Sequence, residues 1–215
     1  MEHIYRRKDQ IMIGIPSKGR LRIHVLEYLA DHGMVVQLGT ERQLQAEIEG
    51  NPHYKVIFAH PKDIPLFLEK KVLDVGFTGM DLIHETQAQV KPIVRTGRGY
   101  VKMSLMVPKT QNLYHPFHLL DKTIGTPFPN IARAYFERLQ VRVNIHPVQG
   151  ASEGMPYLGM VDAIVDVVES GESAQENGLK IIANDIFDSE CVVIVKGPEL
   201  QENYRLINEF LRKIY

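Results

Sequence analysis

Asp162 and Asp166 stand inside an apolar run, residues 161–168, that leads straight into Glu169-Ser170-Gly171-Glu172-Ser173-Ala174. Read as a strand, the run points residues four apart to the same face. A carboxylate among apolar neighbours is costly without a partner, and a ribose hydroxyl or a hydrated Mg²⁺ would suit either Asp. The loop beyond can turn successive backbone N–H groups inward around an anion, with the Ser170 and Ser173 hydroxyls as further donors. It lacks the Gly-x-x-x-x-Gly-Lys spacing of an NTPase phosphate loop. The plainer reading is that both aspartates lie at strand ends and cap turns.

A second cluster is Pro16-Ser17-Lys18-Gly19-Arg20-Leu21, between an apolar run and a helix-period stretch. It offers two cations, a Gly that lets backbone approach a ligand, and the partial positive charge of a helix N-terminus. That suits a phosphate or pyrophosphate; it also reads as a solvated loop. Gln149-Gly150-Ala151-Ser152-Glu153 places Glu153 either in a cleft or in the first turn of a helix. Gly76-Phe77-Thr78-Gly79-Met80-Asp81 is a further strand-to-helix turn. Gly97-Arg98-Gly99 is too short for a dinucleotide fingerprint. His115 and His118 have no Cys or Glu beside them, so no zinc site is expected. Cys191 is the single cysteine, which excludes an intramolecular disulfide. Its apolar setting reads as a small buried hydrophobe.

These residues need elements to hold them. Strands are expected at 11–15, 34–38, 54–59, 73–77, 92–95, 101–107, 123–126, 141–148, 161–168, 181–186 and 191–195. Helices are expected at 20–32, 63–70, from 80, at 129–139 and at 199–214. Pro65 is tolerated in a first turn and Gly33 is a plausible stop. Strands alternating with helices argue an α/β fold. We read two lobes: residues 1–95 plus 185–215 as the first, closed by the final helix, and residues 96–184 as the second.

The chain has 215 residues, with 25 Lys+Arg against 26 Asp+Glu and a net charge of −1. That charge gives no general pull toward nucleic acid or an anionic membrane, so phosphate binding must come from local clusters. No 18-residue apolar window suggests a membrane span, and residues 1–16 lack the apolar core of a secretory signal. A reducing, cytoplasmic setting is expected.

Four segments, in this order, resemble the ATP phosphoribosyltransferase family: IPSKGRL, HPKDIPLFLEKKVLDVGFTGMDLIHE, TPFPNIARAYFE and VQGASEGMPYLGMVDAIVDVVESGESAQENGL. The last is the most specific, because it joins a Glu, a paired Asp and a hydroxyl–Gly loop at fixed spacing. The resemblance implies two α/β lobes of periplasmic-binding-protein-like type with the active site in the cleft between them. It implies attack of the adenine N1 of ATP on C1 of phosphoribosyl pyrophosphate (PRPP), with pyrophosphate leaving, as the first step of histidine biosynthesis. The substrates would be ATP and PRPP, with Mg²⁺ as cofactor.

By that resemblance Ser170, Gly171, Glu172, Ser173 and Ala174 hold the 5-phosphate, and Asp162 and Asp166 meet the ribose hydroxyls and metal. Lys18, Gly19 and Arg20 face the pyrophosphate, with Arg42 a second cation. Glu153 and Asp81 line the cleft near the ribose, metal or ATP. Most relatives carry Thr-Gly-x-Thr-Leu in the phosphate loop; here Ser-Gly-Glu-Ser-Ala keeps both hydroxyls, and Glu172 is expected to point to solvent. The length matches a short form lacking a C-terminal regulatory domain. That form implies a homodimer or larger assembly and a regulatory partner resembling a histidyl-tRNA synthetase. A non-catalytic solute-binding or regulatory relative of the same fold is the competing reading.

Overall fold

Continuous apolar runs become strands buried on both faces, and such strands pair in parallel under helices. β1 (Ile11–Pro16) is buried along its whole length and pairs in parallel with β3 (Asn51–Ala59) and β4 (Val75–Gly79). This is seen in a computed structural model that describes residues 7, 9–40, 43–150, 152–197 and 203–215. The chain divides into two units, Met1–Gly99 with Glu190–Tyr215, and Tyr100–Ser189.

In the first unit β2 (Gln45–Ile48) runs antiparallel to β3, and β11 (Cys191–Val195) lies antiparallel between β4 and β5 (Lys91–Arg95). The sheet order is β2-β3-β1-β4-β11-β5. Period-two alternation sorts the side chains. Ile11, Ile13 and Ile15 pack with Val25, Tyr28 and Leu29 of α1 (Arg20–Asp31) and with Ile207 and Phe210 of α6 (Tyr204–Lys213). Met12 and Ile194 face the other way, against Ile64 and Leu68 of α2 (Asp63–Glu69) and Ile83 of α3 (Met80–Thr86). Gly76 lets α2 lie directly on the sheet: a Cβ there would stand 2.6 Å from Ile64 Cγ2 and 2.7 Å from Leu68 Cδ1.

Two expectations change here. Residues 34–38 make only a single bridge, Val36 to Ile48, although Met34 and Val36 are buried. The strand at the sheet edge is β2, where only Ala46 and Ile48 are apolar, too few to read as a periodic run. The closing helix begins at Tyr204 and packs on the first unit through Ile207, Phe210 and Ile214. The start expected for it, at 199, lies outside the described residues.

The second unit's sheet has β6 (Val101–Pro108), β7 (Thr123–Thr126), β8 (Asn144–Pro147), β9 (Ala163–Val168) and β10 (Leu179–Ser189), in the order β10-β6-β9-β7-β8. β7 is parallel to β8 and β9, and β6 is antiparallel to β9 and β10. α4 (Pro129–Arg138) starts on Pro129 and buries Ile131, Ala132, Tyr135 and Phe136; α5 (Glu172–Glu176) is a short turn of helix. The strand expected at 141–148 is confined to β8.

The passages between units differ by a few residues from the expected 95/96 and 184/185. Thr96 N–H donates to the Cys191 carbonyl and Cys191 N–H to that of Arg98, which keeps residues 96–99 with the first unit. Phe187, Asp188 and Ser189 continue the ladder against Met103, Lys102 and Val101, which keeps them with the second. Among the described residues no helix is long and apolar enough to cross a membrane.

Candidate functional site

Parallel strands end on one edge, and in open α/β sheets the loops leaving that edge form ligand sites. In the second unit the loops after β7, β8 and β9 all leave this way. β9 delivers Asp166, then the Ser170–Ser173 turn. Gly171 has φ of 81°, a left-handed conformation that favours glycine and reverses the chain into α5. Glu172 and Ser173 are exposed, as expected for Glu172, while Ala174 is buried against Met106, Val161, Ile164 and Leu179. The alanine therefore anchors the loop from beneath.

The segment after β8 folds back over this loop. Ser152 is fully buried and donates from Oγ to Asp166 Oδ2 at 2.7 Å, and Val167 N–H donates to Oδ1 at 2.8 Å. Ser173 Oγ lies 3.4 Å from Glu153 Oε1, and Tyr157 OH donates to the Gly178 carbonyl at 2.7 Å. Asp166, Glu153, Ser173 and the Ser170–Gly171 turn are thus brought together. Ser152 was missed; it sits beside the candidate Glu153, but a lone Ser gives no pattern of its own.

Asp162 is not part of this group. It precedes β9, at the opposite end of the strand from the loop, so the two aspartates do not form a same-face pair within the strand. Its Oδ1 accepts Lys122 Nζ at 2.9 Å and its Oδ2 accepts Thr123 N–H at 2.9 Å, while its own N–H donates to the Thr123 carbonyl at 2.8 Å. Burial alone pushes its pKa up, but the Thr123 N–H and the Lys122 ammonium outweigh this and hold it below the ordinary carboxylate range. The first unit contains the same device. Asp74, just before β4, accepts Met12 N–H at 2.8 Å and donates its own N–H to the Met12 carbonyl at 2.9 Å. In both units an Asp ahead of a parallel strand clamps the register of its neighbour. Asp162 therefore stands at the strand end, where its hydrogen bonds hold the register.

In the first unit the corresponding edge gathers the loops after β1, β3 and β4. Ser17 N–H donates to the Ala59 carbonyl at 2.8 Å, and Arg22 reaches back to the Ser17 carbonyl at 3.2 Å with its guanidinium 4.8 Å from the Phe58 ring centre. These contacts fix the base of the loop and leave Lys18, Gly19 and Arg20 exposed. Gly19 has φ of 79° ahead of α1. Asp81, in the first turn of α3, is 7% exposed and Thr78, whose Oγ1 donates to the Pro61 carbonyl, is fully buried. Glu190 was also missed. It is 6% exposed, pairs through Oε1 with Arg95 at 2.5 Å, and its Oε2 has no hydrogen-bond partner among the described residues. Arg42 lies outside the described residues.

Cys191 is buried, and burial pushes its thiol up to about 12, helped by the Glu190 and Asp81 carboxylates and opposed by a Thr96 hydrogen bond. A thiol so protonated is a packing group, not a nucleophile. Among the described residues no three His, Cys, Asp or Glu side chains form a group that could hold a metal ion. Glycine turns at the strand ends of an α/β fold are the kind of place where such folds hold small-molecule ligands.

A similar fold occurs in Tv2483 bound to L-arginine, which superposes with a TM-score of 0.64 at 13% identity, over 96% of this chain and 84% of that one. At that identity the likeness is one of fold alone. The family model for ATP phosphoribosyltransferase (HisG) matches residues 60–215. Curated relatives of that name are 35% identical over 95% of this chain in Methanopyrus kandleri and 36% identical over 88% in Methanosarcina mazei. This chain spans 70% and 65% of their respective lengths. The solved ATP phosphoribosyl transferase (HisG:HisZ) complex from Thermotoga maritima matches with a TM-score of 0.79 at 28% identity, over 95% of this chain and 96% of that one. The chain belongs to the ATP phosphoribosyltransferase family.

Proposed function

We propose that this chain transfers the phosphoribosyl group of PRPP to the adenine N1 of ATP, releasing pyrophosphate, as the opening step of histidine biosynthesis. The observation that carries this reading is the end of β9, where a carboxylate fixed by Ser152 is followed at once by the Ser170–Ser173 turn. The turn offers backbone N–H groups and two hydroxyls to the 5-phosphate. Asp166 accepts the ribose hydroxyls, and Glu153 stands beside the same turn. Lys18, Gly19 and Arg20 take the pyrophosphate, with Arg42 as a second cation, and Asp81 belongs to the ATP side. Asp162 serves the fold.

The chemistry asks for alignment and charge stabilisation and forms no covalent bond to the protein. The adenine N1 is already a nucleophile. Positive charge grows on the ribose as the bond to pyrophosphate breaks, as in glycoside cleavage. Donors fixed in advance around the departing oxygens lower that barrier. Mg²⁺ would neutralise pyrophosphate charge. Such an ion is held mostly by substrate phosphates plus one or two carboxylates, and Asp166 would be the carboxylate this chain supplies.

The Thermotoga structure is a HisG:HisZ complex, which supports a partner subunit for this chain. By the family resemblance that subunit is regulatory and resembles a histidyl-tRNA synthetase, and the core is a homodimer or larger assembly in the cytoplasm. The test is to mix the protein with ATP, PRPP and Mg²⁺, with and without that subunit, and detect N1-phosphoribosyl-ATP. Product in either arm is expected. No product in both arms, with no binding of PRPP, leaves the solute-binding or regulatory alternative standing.

A further inference from the structure

Ser104 of β6 stands directly opposite Asp166 of β9 in an antiparallel pair. Directly opposed residues project from the same face with Cβ atoms about 4.5–5.5 Å apart. The Ser104 side chain therefore neighbours the carboxylate that leads the phosphate loop. Ser104 is 1% exposed, and its Oγ has no hydrogen-bond partner among the described residues. Met103 and Leu105 on either side are buried hydrophobics, and Met106 packs in the apolar cluster beneath the loop. A hydroxyl stripped of water and given no partner is a net cost to folding. Alanine would fill that space without the cost.

We propose that Ser104 is a positioning residue for the phosphoribosyl donor, its hydroxyl reserved for the Asp166 carboxylate in the bound state. The inference rests on the reading of Asp166 given above. In the free chain Asp166 is held by Ser152 Oγ and by the N–H of Val167. An ionised carboxylate has about four acceptor sites. Ribose hydroxyls arriving at Asp166 draw it off the Val167 N–H, and the Ser104 O–H, on the same face, replaces that donor. The carboxylate stays charged and aligned on the ribose.

The test compares Ser104→Ala and Ser104→Thr with the wild-type chain, reading thermal unfolding without ligand and PRPP binding by calorimetry in Mg²⁺. Ser104→Ala is expected to melt at or above the wild-type temperature yet bind PRPP about tenfold more weakly, the loss of one hydrogen bond to a charged group. ATP affinity stays unchanged. Ser104→Thr, which keeps the hydroxyl, restores PRPP binding. In an Asp166→Asn background Ser104→Ala adds no further loss, because the group it acts through is gone. Wild-type PRPP affinity in Ser104→Ala overturns the inference, as does a loss that persists undiminished beside Asp166→Asn. A wild-type chain that binds no PRPP overturns the functional reading itself, and with it this role for Ser104.

Discussion

Arg20 opens α1 from a loop whose base is tied down by Ser17 and Arg22, so an exposed cation is held on a fixed stem. If it meets the departing pyrophosphate, Arg20→Ala should lower turnover about 10²–10³-fold, the scale of one preorganised donor. Steady-state kinetics on a variant with an unchanged melting temperature would check this, and near wild-type turnover would remove Arg20 from the reaction. Asp162 makes the opposite case. Asp162→Ala should destabilise the chain by about 1–2 kcal/mol, a charged hydrogen-bonded pair discounted for a side chain 35% exposed. PRPP affinity should not change. Because the folded carboxyl lies below its unfolded value of about 3.9, that stabilisation is complete above this pH and fades as pH falls through the lower folded pKa. Unfolding curves of both proteins should therefore converge in acid. A variant with full stability and weakened PRPP binding would return Asp162 to the ligand.

At the scale of elements, close approach is what seats α2. Gly76→Val would push Ile64 and Leu68 off the sheet and should lower stability by about 1–3 kcal/mol or more, the usual penalty of overpacking; an unchanged melting temperature would show that α2 can shift freely. β1, β4 and β11 were legible because unbroken apolar runs leave little choice of environment. The Ser170–Ser173 turn was legible as a chain reversal because a Gly follows a buried apolar run. β2 was not, since its order comes from pairing with β3 and hardly from its own residues. Asp162 was expected inside the strand for a definable reason: counting period two from residue 161 starts the strand two residues before its ladder begins. Ser104 and Glu190 gave no sequence signal at all. Only strand register sets Ser104 against Asp166, and only the fold buries Glu190.

At the scale of the molecule, each unit repeats one plan: parallel strands, an Asp register clamp at their start, and loops leaving together at their end. Under the proposed function, different parts of the reactants meet different stretches of chain. Hydrogen exchange read by mass spectrometry should show ribose 5-phosphate slowing amides around 152–153 and 169–174. Pyrophosphate should slow those at 17–20. Protection by ribose 5-phosphate confined to residues 17–20 would reverse the assignment. The whole second unit, Tyr100–Ser189, is also threaded between β5 and β11, strands that are neighbours in the first unit's sheet. A ribosome therefore finishes the second unit, a contiguous stretch, before it supplies the strand that fills the interior of the first. Until Cys191–Val195 emerges, β4 and β5 wait with open edges, and the long-range closure that joins them is the slow kind. The nascent first unit is then the part of this chain most exposed to misassembly, and the part for which a chaperone would matter.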